Sequence, residues 1–336
     1  MNQDLVCAIV LAAGKGTRMK SELVKVLHPV LFVPMIFHVL DALQVLKIKR
    51  TVVVVGHQKE RMMEALQFHD VILAIQREQL GTGHAVLTAE SVLADFHGTA
   101  LIVCGDIPLI RSETLARMLA QHRQKRPALT IMTTILDDPT HYGRIVLDEE
   151  GRVLRIVEER DTTADERRIK IINAGIYCAD VDFLFSALKQ VGSNNSQGEV
   201  YLTDVVEKAI VAKAKVDRYE CLEAIEVLGV NSRVELAIAN KILQGRRNIR
   251  LMESGVTLAA PESSYVAASV EVGQDTVIAP NVYITGTTVI GKGCSIGPFV
   301  VINDAEIGNG AKIGPFSVLD NCCIEEGENI APHTVR

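Results

Sequence analysis

Val289-Ile290-Gly291-Lys292-Gly293-Cys294-Ser295-Ile296-Gly297-Pro298-Phe299-Val300-Val301-Ile302 carries an isoleucine at every sixth position: Ile290, Ile296 and Ile302. The register runs back through Ile284, Ile278, Val272 and Val266. It runs forward, after one five-residue step, through Ile307, Ile313 and Leu319, and after another through Ile324 and Ile330. Glycine follows the aliphatic residue at Gly273, Gly291, Gly297, Gly308 and Gly314. Six is neither the 3.6-residue period of a helix nor the two-residue period of a strand. It is the period of a hexapeptide β-helix, in which each aliphatic side chain points into a narrow core and three hexads make one coil. About 80 residues then give roughly four coils. Short antiparallel strands, the competing pattern, do not hold a six-residue register across seven members.

Upstream the pattern changes. Ser232 to Ser254 reads as one helix with Val234, Leu236, Ile238, Ile242 and Leu243 among its apolar positions, stopped by Gly255. Before it, the apolar runs Val6–Leu11, Thr51–Val55, Val71–Ile75 and Ala100–Val103 have strand length, and Pro34–Leu46 and Glu60–Leu66 are amphipathic. Strand, helix, strand at this spacing predicts βαβ units and a mostly parallel sheet. Ser112 is expected to cap a helix over Glu113–Arg123, and Thr203 or Asp204 another over Val205–Ala214. Ligands of such sheets lie at the carboxyl ends of the strands, where Gly14–Arg18, Gly56–His57 and Gly105–Asp106 fall.

The 336 residues suffice for one large or two ordinary domains. Hydrophobic residues at 48% and charged residues at 23% are globular proportions, and the absence of Trp leaves the core to Val, Ile, Leu and Ala. A net charge of −6 argues against nucleic acid as partner. The seven cysteines are scattered without a C-x-x-C pair, as for reduced thiols. The apolar stretch Leu5–Ala13 is too short for a membrane span and lacks a basic leader, so a cytoplasmic protein without membrane contact is expected. None of the nine histidines has H-x-x-x-H or H-E-x-x-H spacing.

Chemistry concentrates in Leu11-Ala12-Ala13-Gly14-Lys15-Gly16-Thr17-Arg18-Met19, which follows a buried strand. Its small residues let backbone N–H groups approach a phosphate, and Lys15 and Arg18 add positive charge. Met19 stands where either the dinucleotide-binding fingerprint or a P-loop would need glycine. A plain tight turn is the alternative for this loop taken by itself. Lys25 follows between Val24 and Val26.

The blocks L-A-A-G-K-G-T-R-M and K-V-L-H (Lys25–His28) resemble the uridylyltransferase domain of the bacterial bifunctional GlmU family, which makes UDP-N-acetylglucosamine. The resemblance continues through Gln79-Leu80-Gly81-Thr82-Gly83-His84-Ala85, Gly105-Asp106-Ile107-Pro108-Leu109 and Tyr142-Gly143-Arg144-Ile145. Ile156-Val157-Glu158, Asn173-Ala174-Gly175 and Gly229-Val230-Asn231 extend it, in order, from about residue 5 to 254, and the hexapeptide repeat fits the family's second domain.

The resemblance implies an α/β, Rossmann-like nucleotidyltransferase domain over residues 1–231, a linker helix over 232–254 and a shortened left-handed β-helix over 255–336. It implies uridylyl transfer from UTP to N-acetylglucosamine 1-phosphate. Arg18 and Lys25 would serve the triphosphate, with Leu11, Ala12, Ala13, Gly14, Gln76, Gly81 and Thr82 on the nucleotide. Gly143, Glu158 and Asn173 would meet the sugar, and Asp106 and Asn231 would hold Mg²⁺. Read alone, Asn231 is an N-cap of the following helix and Asp106 a turn aspartate. The family's homotrimer is expected here as well. Two departures stand out. Val24 replaces a proline that would fix the backbone before Lys25, and Cys104 replaces a tyrosine before Gly-Asp. The later coils that carry the family's acetyltransferase motifs are not among these residues, so acetyl transfer is not expected. Another sugar phosphate or nucleotide, or a non-catalytic sugar-nucleotide binder, is the rival reading.

Overall fold

The computed structural model describes residues 5–336. The chain forms two compact units: Met1–His28 with Pro34–Arg233, and Pro29–Val33 with Val234–Arg336. Five residues near the amino terminus thus belong with the second unit, which a contiguous cut near 231 does not capture.

The first unit is built on a nine-stranded sheet. Its elements in chain order are β1 (Val6–Ala12), α1 (Met35–Val45), β2 (Arg50–Val55), α2 (Lys59–Leu66), β3 (Ile72–Ile75), α3 (Thr82–Leu87) and β4 (Thr99–Cys104). There follow α4 (Ser112–Lys125), β5 (Leu129–Ile135), β6 (Arg144–Leu147), β7 (Val153–Val157), β8 (Ile171–Asp180), α5 (Val181–Leu188), α6 (Val205–Val211) and β9 (Val216–Glu220). The strand order is β9-β5-β8-β4-β1-β2-β3, with β6 pairing both β8 and β7. The β4-β1-β2-β3 half is parallel, and so is the β5-β9 pair. Its central strands are covered on both faces, so they read as unbroken apolar runs: Cys7 to Val10, Val52 to Val55 and Ala100 to Val103 are all fully buried.

β8 departs from the parallel pattern. It runs antiparallel to β4 and β5. A register shift between Asn173 and Tyr177, at Gly175 with φ +73°, bends it where it passes the end of β4. The reversal brings the start of β8 to the sheet edge where the parallel strands end.

Two expected helix caps are not made. Ser112 is itself the first helical residue, and its Oγ donates to Glu113 at 3.3 Å rather than capping the backbone. The Thr203 hydroxyl donates to Glu158 at 3.1 Å and is not spent on a cap. Asp204 lies within a 3₁₀ turn, Leu202–Asp204, that runs directly into α6. That helix ends at Val211 rather than Ala214. Lys213 takes φ +55°, and the Ala214 N–H reaches back to the Ala209 carbonyl at 2.9 Å, the closing bond of a Schellman turn.

In the second unit α7 (Arg233–Glu253) precedes thirteen short strands in three parallel sheets of five, four and four. The registers Ile278↔Ile296↔Ile313↔Ile330, Val266↔Ile284↔Ile302↔Leu319 and Val272↔Ile290↔Ile307↔Ile324 stack the aliphatic residues of successive coils. The five-residue steps fall at one corner, where Asp304 and Asn321 adopt φ +46° and +48°. The face α7 turns inward mixes apolar and polar side chains. Val234 and Ile238 are exposed, while Gln244 and Asn248 are buried with Ala239 and Leu251. Both amides donate to the Ser264 carbonyl at 2.9 Å, and Asn248 to the Pro261 carbonyl at 2.6 Å. These bonds satisfy backbone acceptors that the helix would otherwise strip of water. Among the described residues no helix is long and apolar enough to cross a membrane.

All seven cysteines are free. Burial pushes the Cys7 thiol up to about 12, and Cys323 is exposed.

If the coil core rests on this stacking, Ile302→Ala, which empties a fully buried site, should cost about 2–5 kcal/mol. Ser295→Ala at an exposed position should change stability by less than about 0.5 kcal/mol. Urea unfolding of the coil unit measures both.

Candidate active site

The loops after β1, β2, β3 and β4 converge at one sheet edge, as the strand directions require. The Gly105 N–H donates to the Leu11 carbonyl at 2.9 Å, which ties the β1 and β4 loops together. Ala12 and Ala13 are buried beneath the glycine loop. A Cβ built on Gly14 would meet no protein atom within 4 Å, so packing inside the chain does not require glycine there. Gly16 is different. It holds φ +62°, and a Cβ would stand 2.5 Å from that of Lys25. The loop therefore packs directly on the Lys25 stem, and both its backbone and its lack of a side chain are needed for that contact.

Lys25 is the centre of the arrangement. Its ammonium forms an ion pair with Asp106 and donates to Asn231 Oδ1 at 3.0 Å. Asn231 in turn donates to the Gly229 carbonyl at 3.1 Å. One carboxylate and one amide oxygen thus converge on a single cation. That donor set suits a hard divalent ion, which takes few protein oxygens and completes its shell with phosphates and water. Among the described residues no group of three His, Cys, Asp or Glu side chains offers a self-sufficient metal cage.

Val24 does not loosen Lys25. It is buried, with φ −51° and ψ 131°, a backbone that proline would also accept, and its carbonyl accepts from the Leu27 N–H at 2.9 Å. Burial supplies here what a ring would supply elsewhere.

Gln76 and Gly81, both expected on the nucleotide, lie against each other. The buried Gln76 amide donates to the Gly81 carbonyl at 3.1 Å and lies 3.0 Å from His84 Nδ1. Thr82 accepts from the Leu202 N–H at 3.0 Å. Its hydroxyl braces the first turn of α3 against residue 202.

A second cluster forms where β6, β7 and β8 come together. The Asn173 N–H donates to the Gly143 carbonyl at 2.9 Å, and Gly143 and Glu158 face each other at paired strand ends. A Cβ on Gly143 would come within 3.1 Å of Ile156 and 3.5 Å of the Glu158 carboxylate. Asn173 donates to the Tyr177 hydroxyl at 2.6 Å and accepts from the Gly175 N–H at 3.0 Å. Burial raises the Glu158 pKa against the pull of the Thr203 hydrogen bond, and Asp204, Asp161 and Glu199 push it the same way as burial. Cys104 fills the wall between the clusters, with Sγ 3.6 Å from the Gly175 carbonyl and its thiol pushed up to about 12 by burial. Arg18 and Glu158 line one cleft of about 390 Å³ with His141, Glu159, Arg160 and Gln197.

Three supports escaped the sequence reading. Arg144 is 1% exposed and pairs with Glu159 at 2.7 Å. A buried arginine, paired with a partly exposed glutamate, thus lies next to Gly143 and Glu158 in the chain. Tyr177 orients Asn173, and Thr203 orients Glu158. Arg144 stood inside a recognised block, but nothing in the sequence told that its charge was buried.

The nucleotidyl transferase family matches residues 7–223, and the bacterial transferase hexapeptide family (six repeats) matches residues 287–321. The bifunctional protein GlmU of Desulfotalea psychrophila is 46% identical over 305 residues, covering 91% of this chain and 90% of that protein. The chain belongs to the GlmU family. The GlmU proteins of Halalkalibacterium halodurans and of an Exiguobacterium species are 45% and 49% identical, covering 89% and 87% of this chain. The chain spans 66% and 64% of their lengths. As a member of this family it is a sugar-phosphate nucleotidyltransferase of the UDP-N-acetylglucosamine pyrophosphorylase kind, and the family generally uses a divalent metal.

Gly16→Ala should cost about 1–2 kcal/mol through its left-handed backbone, before counting the clash with Lys25. Gly14→Ala should leave stability unchanged. Urea unfolding of the two variants checks the difference.

Proposed function

We propose that the chain transfers a uridylyl group from UTP to N-acetylglucosamine 1-phosphate and releases pyrophosphate. The observation that carries this reading is the convergence of Lys25, Asp106 and Asn231 at the same sheet edge as the open glycine loop. The cluster of Gly143, Glu158 and Asn173, formed where β6, β7 and β8 come together, supports this reading as its sugar side. A phosphate oxygen of the sugar phosphate attacks the α-phosphorus of UTP. One P–O bond forms, the bond to the β-phosphate oxygen breaks, and the electron pair leaves with pyrophosphate. No covalent protein nucleophile is needed, so the chain contributes position and charge.

Lys25 and Arg18 supply that charge. Lys25 would neutralise the α-phosphate and Arg18 the outer phosphates. The Gly14 backbone gives the phosphates close approach. Gln76 and Gly81 face the uracil, whose N–H and carbonyls match an amide and backbone groups. Glu158 and Asn173 bind the sugar hydroxyls and acetamido group. Asp106 and Asn231 would hold Mg²⁺, which when bound screens the triphosphate charge. With Mg²⁺, the Asp106→Ala variant should lose most turnover while remaining folded. Lys25→Ala and Arg18→Ala should each lose roughly 10²-fold or more. A pyrophosphate-release assay over a matrix of nucleoside triphosphates and sugar 1-phosphates tests the assignment. Preference for another base or sugar would retain the transferase class and end the claim about these substrates.

Residues 1–336 are proposed not to acetylate glucosamine 1-phosphate. The coils carry one histidine, His333, and coenzyme A release from acetyl-CoA would overturn this. We also propose a homotrimer through the coils. One sheet presents an outward column of Tyr283, Val301 and Val318, each about 40% exposed, and a flat apolar strip of this kind packs around a closed cyclic axis. Light scattering at micromolar concentration should give three times the chain mass, and a monomer mass would refute it.

A further inference from the structure

We propose that Arg233 is a positioning residue that clasps both ends of the segment carrying Lys25, and so sets where Lys25 and the adjoining Arg18 stand. The guanidinium donates through Nε to the Met19 carbonyl at 3.2 Å, and through Nη1 to His28 Nδ1 at 3.2 Å. Met19 directly follows Arg18, and His28 closes the turn begun at Lys25, its N–H donating to the Lys25 carbonyl at 3.2 Å. Arginine only donates, so His28 accepts at Nδ1 and its ring is neutral. Burial and the Arg233 charge both hold the His28 pKa below its usual value.

The clasp has a fixed shape. A guanidinium presents its donors in a rigid planar fork, so two acceptors bound to it are held at a set separation. Arg233 stands two residues after Asn231, whose carboxamide takes the Lys25 ammonium. One short stretch, 231–233, therefore holds the head of the lysine and both ends of its segment. A third tether reaches the middle. Gln58 and Arg61, at the start of α2, donate to the Glu22 carbonyl at 2.8 and 3.1 Å. Between the anchors Lys20, Ser21 and Glu22 are exposed, and Lys20 takes φ +48°. The stretch Lys20–Glu22 therefore has no burial of its own to hold it, and its course depends on the anchors at either side. Arg233 itself remains exposed, so replacing it empties no core site.

This inference rests on the proposed phosphate roles of Lys25 and Arg18, and its test separates the two. Pyrophosphate release from UTP and N-acetylglucosamine 1-phosphate with Mg²⁺ is measured for wild type, Arg233→Met, Arg233→Lys, Lys25→Ala and the Lys25→Ala/Arg233→Met double variant. Arg233→Met should lower kcat by about tenfold or more, since small misplacements of catalytic groups are costly, with KM for UTP changed by less than about threefold. Arg233→Lys, which keeps the charge but not the fork, should recover part of the loss. In the Lys25→Ala background the Arg233→Met loss should shrink at least about threefold, because residues that act through one another are not additive. An unchanged kcat, or the same fold-loss in both backgrounds, overturns the proposal. A wild type that releases no pyrophosphate overturns the functional reading instead. A second readout then still decides the clasp: trypsin should cut after Lys20 several-fold faster in Arg233→Met than in wild type, and equal rates would overturn it.

Discussion

The Lys25 ammonium, held between the Asp106 carboxylate and the Asn231 amide, is the point on which the catalytic unit depends. These residues lie 81 and 206 positions from Lys25 in the chain, and each arrives at the end of a different segment. A charge of this kind, half withdrawn from water, is stable only where its partners are already in place. The sheet supplies that order. β1 and β4 are adjacent and parallel, so the glycine loop and Asp106 emerge side by side. The Val230 N–H, bonded to the Asp106 carbonyl at 2.8 Å, brings Asn231 to the same spot. Gly16 then presses the loop onto the lysine stem. Local backbone chemistry, sheet topology and electrostatics therefore agree at one place, which is what gives a sequence a single folded answer.

Much of this was legible in the sequence, for identifiable reasons. The coil unit announces itself because each hexad must repeat its aliphatic residue to fill a narrow core. The parallel strands announce themselves because burial on both faces leaves no polar alternation. What escaped was long-range or polar. A buried Arg144 and an exposed arginine look alike as letters, and the difference is made by Glu159 packing over it. Apolar content alone does not tell that Gln244 and Asn248 are buried side chains of α7. There the helix meets free carbonyls of the first coil, and amides serve them better than aliphatics. The missing caps have separate origins: Ser112 already lies inside the helix, one place past the capping position, whereas the Thr203 side chain is turned to Glu158, a partner distant in sequence.

The replacement of a ring by Val24 shows how one constraint substitutes for another. Proline restricts the backbone through covalent geometry in the folded and unfolded chain alike. Valine here is restricted only once it is buried. The folded segment takes the same shape, while the unfolded chain keeps more freedom. Lys25 is thus delivered to its place by packing, and its accuracy is tied to the integrity of the core around it.

The reversal of β8 has a consequence for how such a protein can change. The loops of the parallel half carry the groups assigned to the nucleotide, while the antiparallel ribbon of β6, β7 and the start of β8 carries those assigned to the sugar. The two meet along one line, marked by Cys104 and Gly175, and otherwise draw on separate backbone. Drift in the ribbon can reshape one half of the pocket while the phosphate-handling half stays under its own selection. A lineage can thus explore new acceptors without first surrendering its donor, and the strand that breaks the parallel pattern is the seam along which that exploration runs.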